Sequence, residues 1–516
     1  MSQDPLDHFE EETTSPAVSA QLAAIQNFKG KYPKQIWALF FSEMWERFCF
    51  YAMRGMLSVF MVEELLMDNK QANLQYGATQ AFVYAFTFIG GLFADKILGF
   101  RRSLVWGGLL MIAGSVILAI DPHKFFFIGI TFNIIGTGFF KPNISSMVGM
   151  LYRDGDSRTD AGFLLFYSGI NIGALLGGFV LGIGLGDYFG GIFGEEVRWN
   201  AAFAASGIAM TISLITFLVT KKNLGPIGLS PIAHFSVTKK RLYEYGTYAF
   251  ALLLVPLIII MVSNTRYTDY FMYAIGPFSL LYFIYEMSKS SIKENKKLFG
   301  ALLFILFSVV FWAIFEQAGG SLSLFANSNL QHSLFGLNMS PTTVNNSANS
   351  LFIILFAPLI GLLLISMAKK RLEPNSSVKF GIGFLFLGLG FLIFYSTRFG
   401  MDSMGKGSLN IFTGAYLVVS IAELFVSPIG MSLMTKLAPQ RMQGFMMGMW
   451  FLASAYGQYV AGLFGASISP DKNASGVKKM EMYTQGYYDF AWYAVIAGAI
   501  LIVLYPVMKR LMQEVK

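Results

Sequence analysis

The chain has 516 residues, of which 55% are hydrophobic and only 13% are charged, and its mean hydropathy is +0.55. Soluble domains carry roughly 25% charged residues, so this composition excludes a water-soluble globular protein. A membrane-spanning helix needs about 20 apolar residues, and the chain is therefore predicted to cross a membrane many times. The single cysteine, Cys49, excludes an internal disulfide and any multi-cysteine metal site.

Residues 1–33 are polar and lack the basic start and apolar core of a cleavable signal peptide, so they are predicted to form a cytoplasmic tail. Six apolar runs follow, near residues 35–62, 74–95, 103–120, 125–150, 161–185 and 199–220. Two more lie near residues 243–263 and 268–288. The last six lie near residues 298–325, 344–368, 378–396, 408–435, 442–466 and 487–509.

These runs predict an all-α polytopic membrane protein with fourteen transmembrane helices, arranged as two six-helix bundles and a two-helix insert. The predicted domains are the tail (1–33), an N-terminal six-helix bundle (34–220), a linker with two extra transmembrane helices (221–296) and a C-terminal six-helix bundle (297–516).

The net charge of +8 and the pI of about 9.2 could indicate nucleic-acid binding. Most of the 38 Lys and Arg residues, however, fall on one side of the predicted membrane, which is the positive-inside pattern. With that side cytoplasmic, both termini are cytoplasmic too. Only the loop with Lys472, Lys478 and Lys479 departs from the pattern. The basic charge therefore indicates topology, and no nucleic-acid partner is predicted.

Charged residues inside the predicted spans are the main functional signal, because a charge at mid-membrane costs roughly 3 kcal/mol or more. They are Glu43, Glu46, Arg47 and Arg54 in the first span, Lys141 in the fourth, Glu316 in the seventh and Glu423 in the tenth. Those of the first span recur at helical spacing and form one polar stripe. The alternative is that Glu43 and Arg47 form an ion pair that only holds helices together.

The sign of these charges differs between the two predicted bundles. Arg47, Arg54 and Lys141 lie in the N-terminal bundle, whereas Glu316 and Glu423 lie in the C-terminal bundle. Prolines follow Lys141 and Glu423 in corresponding spans, and interrupted helices in matching positions are typical of transporter binding sites. Two ordinary kinks are the alternative. We expect a bipolar cavity that holds a small molecule with a positive and a negative end.

Histidine is absent from the predicted spans, since all four histidines fall in the tail or in loops. Carboxylates must therefore carry any transported proton, and Glu43 and Glu46 fit that role because cations that can change partners lie near them. The spans also lack the reactive dyad or metal cluster that a membrane-embedded enzyme usually needs. We predict proton-coupled transport, with no metal and no cofactor other than the proton.

Several motifs occur in a fixed order along the chain. EMWERFCFY lies in the first span and GGLFADKILGFRRS after the second. The fourth, fifth and seventh spans contain GTGFFKPNISSMVGMLY, FYSGINIGALLGG and FWAIFEQAGGS, and the tenth and eleventh contain AELFVSPIGMSLMTKLAPQRMQGFMMGMWFL. Together they resemble the proton-coupled oligopeptide transporter (POT) family, also called the peptide transporter (PTR) family, of the major facilitator superfamily. The resemblance covers nearly the whole chain and implies a major facilitator fold of the bacterial type.

The resemblance implies import of di- and tripeptides together with protons. It implies a gating salt bridge between Arg54 and Glu316, and proton coupling by Glu43, Glu46, Arg47, Lys141 and Glu316. The implied substrate-binding residues are Tyr51, Arg54, Tyr84, Lys141, Tyr167, Asn171, Trp312, Asn349, Glu423, Ser427 and Trp450. Among them, Arg54 and Lys141 match positions that meet the peptide carboxylate. Glu423, helped by Asn349 and Ser427, matches the position that receives the amino terminus. Ordinary core packing is the alternative for the aromatic residues.

The chain departs from the family pattern at three places. Phe50 stands where the first-span motif has the first of two tyrosines, so the role of that hydroxyl is absent or taken elsewhere. Gly77 stands where animal members have a histidine, which excludes a histidine-based proton switch there. Phe315 precedes the single Glu316 where some relatives have two acids.

Two alternatives stay open at this point. One is another cargo on the same scaffold, such as nitrate or a drug-like molecule, since nitrate would not need Glu423 opposite Lys141. The more remote one is a polytopic enzyme that modifies lipid. The resemblance implies a multi-pass protein of a bacterial inner membrane whose partners are peptides, protons and membrane lipid.

Overall fold

The computed structural model describes residues 16–153, 156, 158–180, 191–192, 194, 197–370, 372, 374–439 and 442–513. These residues are almost entirely α-helical, which confirms the all-α fold class. A two-residue antiparallel pair of strands, β1 (Ser333–Leu334) and β2 (Leu337–Asn338), is the exception. Residues 1–15 of the predicted tail and 181–185 of the predicted fifth span lie outside the described part.

The helices of the first part of the chain are α1 (Pro16–Gln26), α2 (Gln35–Glu63), α3 (Asn69–Phe93), α4 (Phe100–Ile120), α5 (Pro122–Gly149), α6 (Thr159–Val180) and α7 (Arg198–Thr220). A π-helical turn (Ala94–Leu98) extends α3, and a 3₁₀ turn (Lys221–Leu224) follows α7. The insert consists of α8 (Val237–Ser263) and α9 (Thr265–Ser288).

The last part of the chain contains α10 (Ile292–Phe315), α11 (Ser321–Asn329), α12 (Pro341–Lys369), α13 (Ser376–Ser396), α14 (Leu409–Leu424), α15 (Ser427–Leu437), α16 (Gln443–Ser467), α17 (Gly476–Val503) and α18 (Tyr505–Met512). Side chains set several helix starts. The Ser291 hydroxyl accepts from the Glu294 N–H, and Glu294 accepts from the Ser291 N–H, which forms a capping box on α10.

Eleven described helical segments are long and apolar enough to cross a membrane. Three predicted spans, α2, α9 and α16, do not meet this criterion of length and apolar composition. In α2 the reason is charge, because it carries Glu43, Glu46, Arg47 and Arg54. In α9 and α16 the reason is composition, since tyrosine is frequent in one and glycine in the other. The eleven segments are compatible with the predicted fourteen, and the full count stays a prediction.

The chain divides into two compact units that alternate along the sequence. Unit 1 comprises residues 1–51, 85–174 and 199–259, and unit 2 comprises residues 52–84, 175–198 and 260–516. Each is described by itself below. The predicted domain boundaries near residues 220 and 297 stay a prediction.

Glycines bring α4 and α5 of unit 1 into backbone contact. A Cβ atom on Gly107 would lie 2.5 Å from the Gly136 oxygen, and one on Gly114 would lie 2.6 Å from the Gly129 oxygen. Gly107 and Gly114 are seven residues apart on α4, and Gly129 and Gly136 are seven residues apart on α5. Residues at this spacing lie on one face of a helix. In lipid, where apolar burial drives helix association little, such close contact supplies much of the packing energy.

Close backbone contact at glycines also occurs in unit 2, between α13 and α17. A Cβ atom on Gly498 would lie 2.8 Å from the Gly381 oxygen, and one on Gly388 would lie 2.9 Å from the Ala491 oxygen. Small residues thus set the helix spacing in both units.

The insert is anchored by polar and aromatic contacts. In unit 1, Glu244 of α8 pairs with Arg102 of α4, and Tyr248 packs on Trp106 with ring centroids 4.7 Å apart. In unit 2, the Tyr459 hydroxyl of α16 donates to the Asp269 carboxylate of α9 over 2.5 Å.

The segment between α1 and α2 is fastened to the loop after α5. Arg158 donates to the Phe28 and Gly30 oxygens at 3.1 and 3.2 Å, and its guanidinium lies 3.8 Å from the centre of the Phe28 ring. Asp156 accepts from Arg158 on the other side, and these hydrogen bonds lower the pKa of the Asp156 carboxyl to about 2.

We predict that Gly136→Ala lowers the thermal stability of the detergent-solubilised protein, whereas Gly361→Ala does not. Alanine favours a helix over glycine by about 1 kcal/mol. At Gly136 the new Cβ would lie 2.6 Å from Met111 Cγ, and overpacking of this kind costs about 1–3 kcal/mol. At Gly361 of α12 nothing lies within 4 Å. Equal melting temperatures for the two variants would contradict the packing role of Gly136.

Candidate functional site

The centre of unit 1 contains a buried cluster of charges on α2. Arg47 Nε lies 3.2 Å from Glu43 Oε1, and its guanidinium also forms two hydrogen bonds with Glu46. The three side chains are at most 1% exposed. The ring of Phe50, the departure from the family motif, lies 4.9 Å below the Arg47 guanidinium. Phe50 therefore offers a cation–π contact where a tyrosine would add a hydroxyl.

The cluster contains two carboxylates but only one cation. Two carboxylates share the one guanidinium of Arg47, and Glu43 Oε2 accepts no hydrogen bond among the described residues. Lys141 of α5 interacts electrostatically with Glu43. The structure thus brings together four of the five residues expected to couple protons, and the fifth, Glu316, belongs to unit 2.

Proline shapes α5 next to Lys141. Pro142 lies inside the helix, and because proline has no N–H, the Gly138 oxygen lacks its usual helical donor. The backbone of α3 approaches that oxygen closely, since a Cβ atom on Gly90 would lie 2.1 Å from it. Lys141 is half-buried beside this interruption.

The remaining predicted residues of unit 1 lie on α2 and α6. Tyr51 is half-buried, and its ring packs edge-on against Phe50 at 5.3 Å. Asn171 is buried, and its amide donates to the Tyr167 oxygen over 3.0 Å. Helix α6 packs closely against α2 beside the charged cluster, because a Cβ atom on Gly173 would lie 2.1 Å from the Met44 oxygen.

In unit 2 the predicted gate pair is formed. Arg54 Nη2 donates to Glu316 Oε2, with the two side chains 12% and 4% exposed. Arg54 Nε donates to the Tyr76 hydroxyl over 2.7 Å. Tyr76 is itself buried against the backbone of Gly319, where a Cβ atom would lie 1.8 Å from the hydroxyl oxygen.

Glu316 lies where its helix breaks. Helix α10 ends at Phe315, and a 3₁₀ turn (Glu316–Gly319) leads into α11. Side chains bind the carbonyl groups near this break, as the membrane interior requires. The Gln317 amide donates to the Ala313 and Ala461 oxygens at 3.0 Å each, and Asn345 donates to the Ala318 oxygen at 2.8 Å.

Glu423 is placed by a second interrupted helix. Helix α14 ends at Leu424, and α15 starts at Ser427 with a proline in its first turn. Asn349 of α12 donates to Glu423 Oε2 over 3.1 Å and to the Ser420 hydroxyl over 3.0 Å. The structure thus brings together Asn349 and Glu423, two of the residues expected to meet the peptide amino terminus.

The other predicted residues of unit 2 occupy packed positions. Trp450 is buried against Gly430, and Trp312 packs its Cβ on Gly457. The Trp312 indole N–H has no acceptor among the described residues. Tyr84 and Ser427 are half-buried.

The sequence did not predict the polar side chains that surround the Arg54 and Glu316 pair, which we call the polar shell. Besides Tyr76 and Gln317, it includes Asn346, whose side chain fills the space beside Gly55, and Tyr416, whose hydroxyl donates to Asn345 over 2.6 Å. The run NNSANS at 345–350, within an otherwise apolar helix, was the available signal.

A second polar link of unit 2, also missed, joins the ends of three helices. Glu63 at the end of α2 accepts from Arg198 of α7 over 2.8 Å and from Asn327 of α11 over 2.8 Å. Both partners of this ion pair are about one-third exposed.

A family model described as the POT family matches residues 101–478. The chain belongs to the POT family. It is 32% identical over 508 residues to a protein of Yersinia enterocolitica named peptide transporter YePEPT, with 94% of this chain and 96% of that protein covered. It is 27% identical to dipeptide and tripeptide permease B of Xenorhabdus bovienii, with 93% and 97% covered.

Solved structures agree. The structure of a peptide transporter POT in complex with sulfate matches with a TM-score of 0.80 and 30% identity, covering 96% of this chain and 99% of the other. A variant of that transporter in complex with alafosfalin matches equally well. These matches confirm the major facilitator architecture of the POT type. They also confirm a membrane transporter and exclude the alternative of a lipid-modifying enzyme.

We predict that Tyr76→Phe destabilises the protein by about 1 kcal/mol or more, since it leaves a buried Arg54 N–H without its acceptor. Tyr267→Phe on α9 is the matched control, because that side chain is 46% exposed. Thermal unfolding in detergent provides the comparison. Identical unfolding of the two variants would mean that the Tyr76 hydroxyl does not hold Arg54.

Proposed function

We propose that the protein is a proton-coupled symporter that imports di- and tripeptides by alternating access. We further propose that it lies in a bacterial inner membrane with both termini in the cytoplasm and uses no cofactor other than the proton. Membership of the POT family and the names of the relatives support this. The observation that carries the proposal is the buried cluster of Glu43, Glu46 and Arg47 within a membrane protein.

The substrate end groups account for the signs of the buried charges. A free peptide carries an ammonium at one end and a carboxylate at the other. In the proposed complex, Glu423 receives the ammonium, assisted by Asn349 and Ser427. Arg54 and Lys141 receive the carboxylate. The remaining contacts come from Tyr51, Tyr84, Tyr167, Asn171, Trp312 and Trp450.

Proton coupling follows from the charge balance of the α2 cluster. An excess carboxylate in the membrane requires a counter-charge, and that charge is either a proton or Lys141. When a peptide carboxylate engages Lys141, a proton has to compensate Glu43 and Glu46. Proton binding and peptide binding are thereby linked through one shared cation.

In the proposed gating mechanism, Arg54 is shared between Glu316 and the peptide carboxylate. Arg54 pairs with Glu316 when the gate is closed, and in the open state the pair separates, which leaves Arg54 able to meet the peptide. A ligand shifts such an equilibrium only through its different affinities for the two states. A peptide that contacts both predicted bundles has that difference, whereas nitrate does not need Glu423.

The test of transport is uptake of labelled dialanine into proteoliposomes under an inward proton gradient. We expect accumulation that a protonophore abolishes and that an unlabelled tripeptide competes away. Nitrate uptake without peptide uptake, or peptide uptake insensitive to the protonophore, would overturn the proposal.

We predict that Glu423→Gln weakens dialanine binding about 10- to 100-fold, because charge-assisted hydrogen bonds contribute about 1.5–3 kcal/mol. N-acetyl-dialanine lacks the ammonium, so it should bind the wild-type protein poorly and should distinguish little between wild type and variant. Competition against labelled dialanine measures both affinities. The control is Glu481→Gln, an exposed carboxylate of α17. Equal losses for both peptides would place the ammonium elsewhere.

We predict that Glu46→Gln abolishes proton-driven accumulation but retains counterflow, the exchange of labelled for unlabelled peptide. Counterflow requires a folded, moving transporter and no net proton movement. Accumulation by the variant at the wild-type level would remove Glu46 from the coupling mechanism.

Asp156→Asn is the control for pH dependence. Because the folded pKa of Asp156 is lowered from 3.8 to about 2, its stabilising effect is present above pH 3.8 and is lost as the pH falls through about 2. Asp156→Asn should therefore leave the shape of the uptake profile between about pH 5 and 8 unchanged.

A further inference from the structure

A groove of about 530 Å³ opens in unit 1 between the start of α2 and the end of α7. This volume is within the roughly 300–1,000 Å³ of small-molecule sites. Its lining includes Lys34, Trp37 and Phe41 from the α2 side and Thr216, Thr220 and Asn223 from the α7 side. We call it the basic groove, and we propose that it binds the headgroup of an anionic phospholipid.

The groove is built on a fixed framework. The Ser213 hydroxyl of α7 donates to the oxygen of Ser42 of α2, the residue after Phe41, over 2.6 Å. At the groove itself, the Gln35 amide donates to the Asn223 oxygen over 3.3 Å. These two contacts link the start of α2 to the end of α7 beside the groove.

Charge selects an anion. Lys34 lines the groove, and Lys221 and Lys222 occupy the turn between its lining residues Thr220 and Asn223. Among the described residues none of these three lysines forms an ion pair, and no acid lines the groove. Three lysines that have no carboxylate partner within the described part of the chain attract the negative charge of a phosphodiester.

The apolar side selects a lipid over a free phosphate. Trp37 and Phe41 are each 44% exposed at the groove. From there an exposed apolar stripe continues along one face of α7, at the helical spacing of Val219, Ile215, Ile212 and Ile208. Such a surface accommodates acyl chains, and an amphiphile alone fills both parts. Basic pockets between spanning helices are known sites for anionic headgroups.

The proposal does not rest on peptide transport, so its test needs no transport readout. Native mass spectrometry of the full-length protein measures retention of phosphatidylglycerol, of phosphatidylcholine and of inorganic phosphate across a titration. We expect phosphatidylglycerol to be retained most tightly, with an affinity that falls as ionic strength rises. Equal retention of phosphatidylcholine, or full displacement of lipid by inorganic phosphate, would overturn the proposal.

Variants locate the site. Each lysine near an anionic surface contributes about fivefold in affinity, so Lys34→Gln with Lys222→Gln should weaken phosphatidylglycerol binding about 25-fold. The matched control removes two other exposed lysines at a helix end, Lys369→Gln with Lys370→Gln. Equal weakening by both pairs would show nonspecific attraction and overturn the assignment. The comparison of the lipids on the wild-type protein remains decisive if the groove variant fails to fold.

A competing occupant is the acidic run of the chain itself, Glu10 to Glu12, in the part outside the described residues. A variant lacking residues 2–15 tests it. We expect unchanged phosphatidylglycerol retention. Retention that appears only after the deletion would assign the groove to the acidic run and overturn the proposal.

Discussion

The cost of a charge in the membrane interior is the constraint on which this protein depends. Burying an unpaired ion costs several kcal/mol, so every buried charge needs a partner. Arg47 serves two carboxylates in unit 1, while Arg54 serves Glu316 in unit 2. A helix that carries such charges cannot be held by apolar packing alone. Within the described residues, each of these arginines therefore neutralises the carboxylates beside it.

The backbone obeys the same constraint. A helix interruption frees carbonyl groups that hydrocarbon cannot solvate, and side-chain amides can donate hydrogen bonds to them. Gln317 and Asn345 do so around the break at Glu316. The break places the Glu316 carboxylate at the point where α10 ends and a 3₁₀ turn begins. Glycine supplies the complementary freedom, since contacts such as Gly107 with Gly136 fix helix spacing without large side chains.

Composition and periodicity predicted the helical fold and most of the described spans, because apolar length is a strong signal. Charges such as Glu316 and Glu423 were found because they violate that signal. The polar shell was not predictable in the same way. Tyr76 looks like any aromatic residue in a span, and only the folded chain shows that its hydroxyl meets Arg54. Likewise, the link from Glu63 to Arg198 joins residues far apart in sequence.

The interior of unit 1 also contains Cys49, which is fully buried and 4.0 Å from the Ser115 hydroxyl. Since it is the only cysteine of the chain, an exposed cysteine introduced elsewhere would be the sole thiol that reagents reach. Pairs of spin labels or fluorophores on introduced cysteines would then test whether the Arg54 and Glu316 pair opens as proposed. Because Cys49 is buried, such labelling does not require that the native cysteine be removed first.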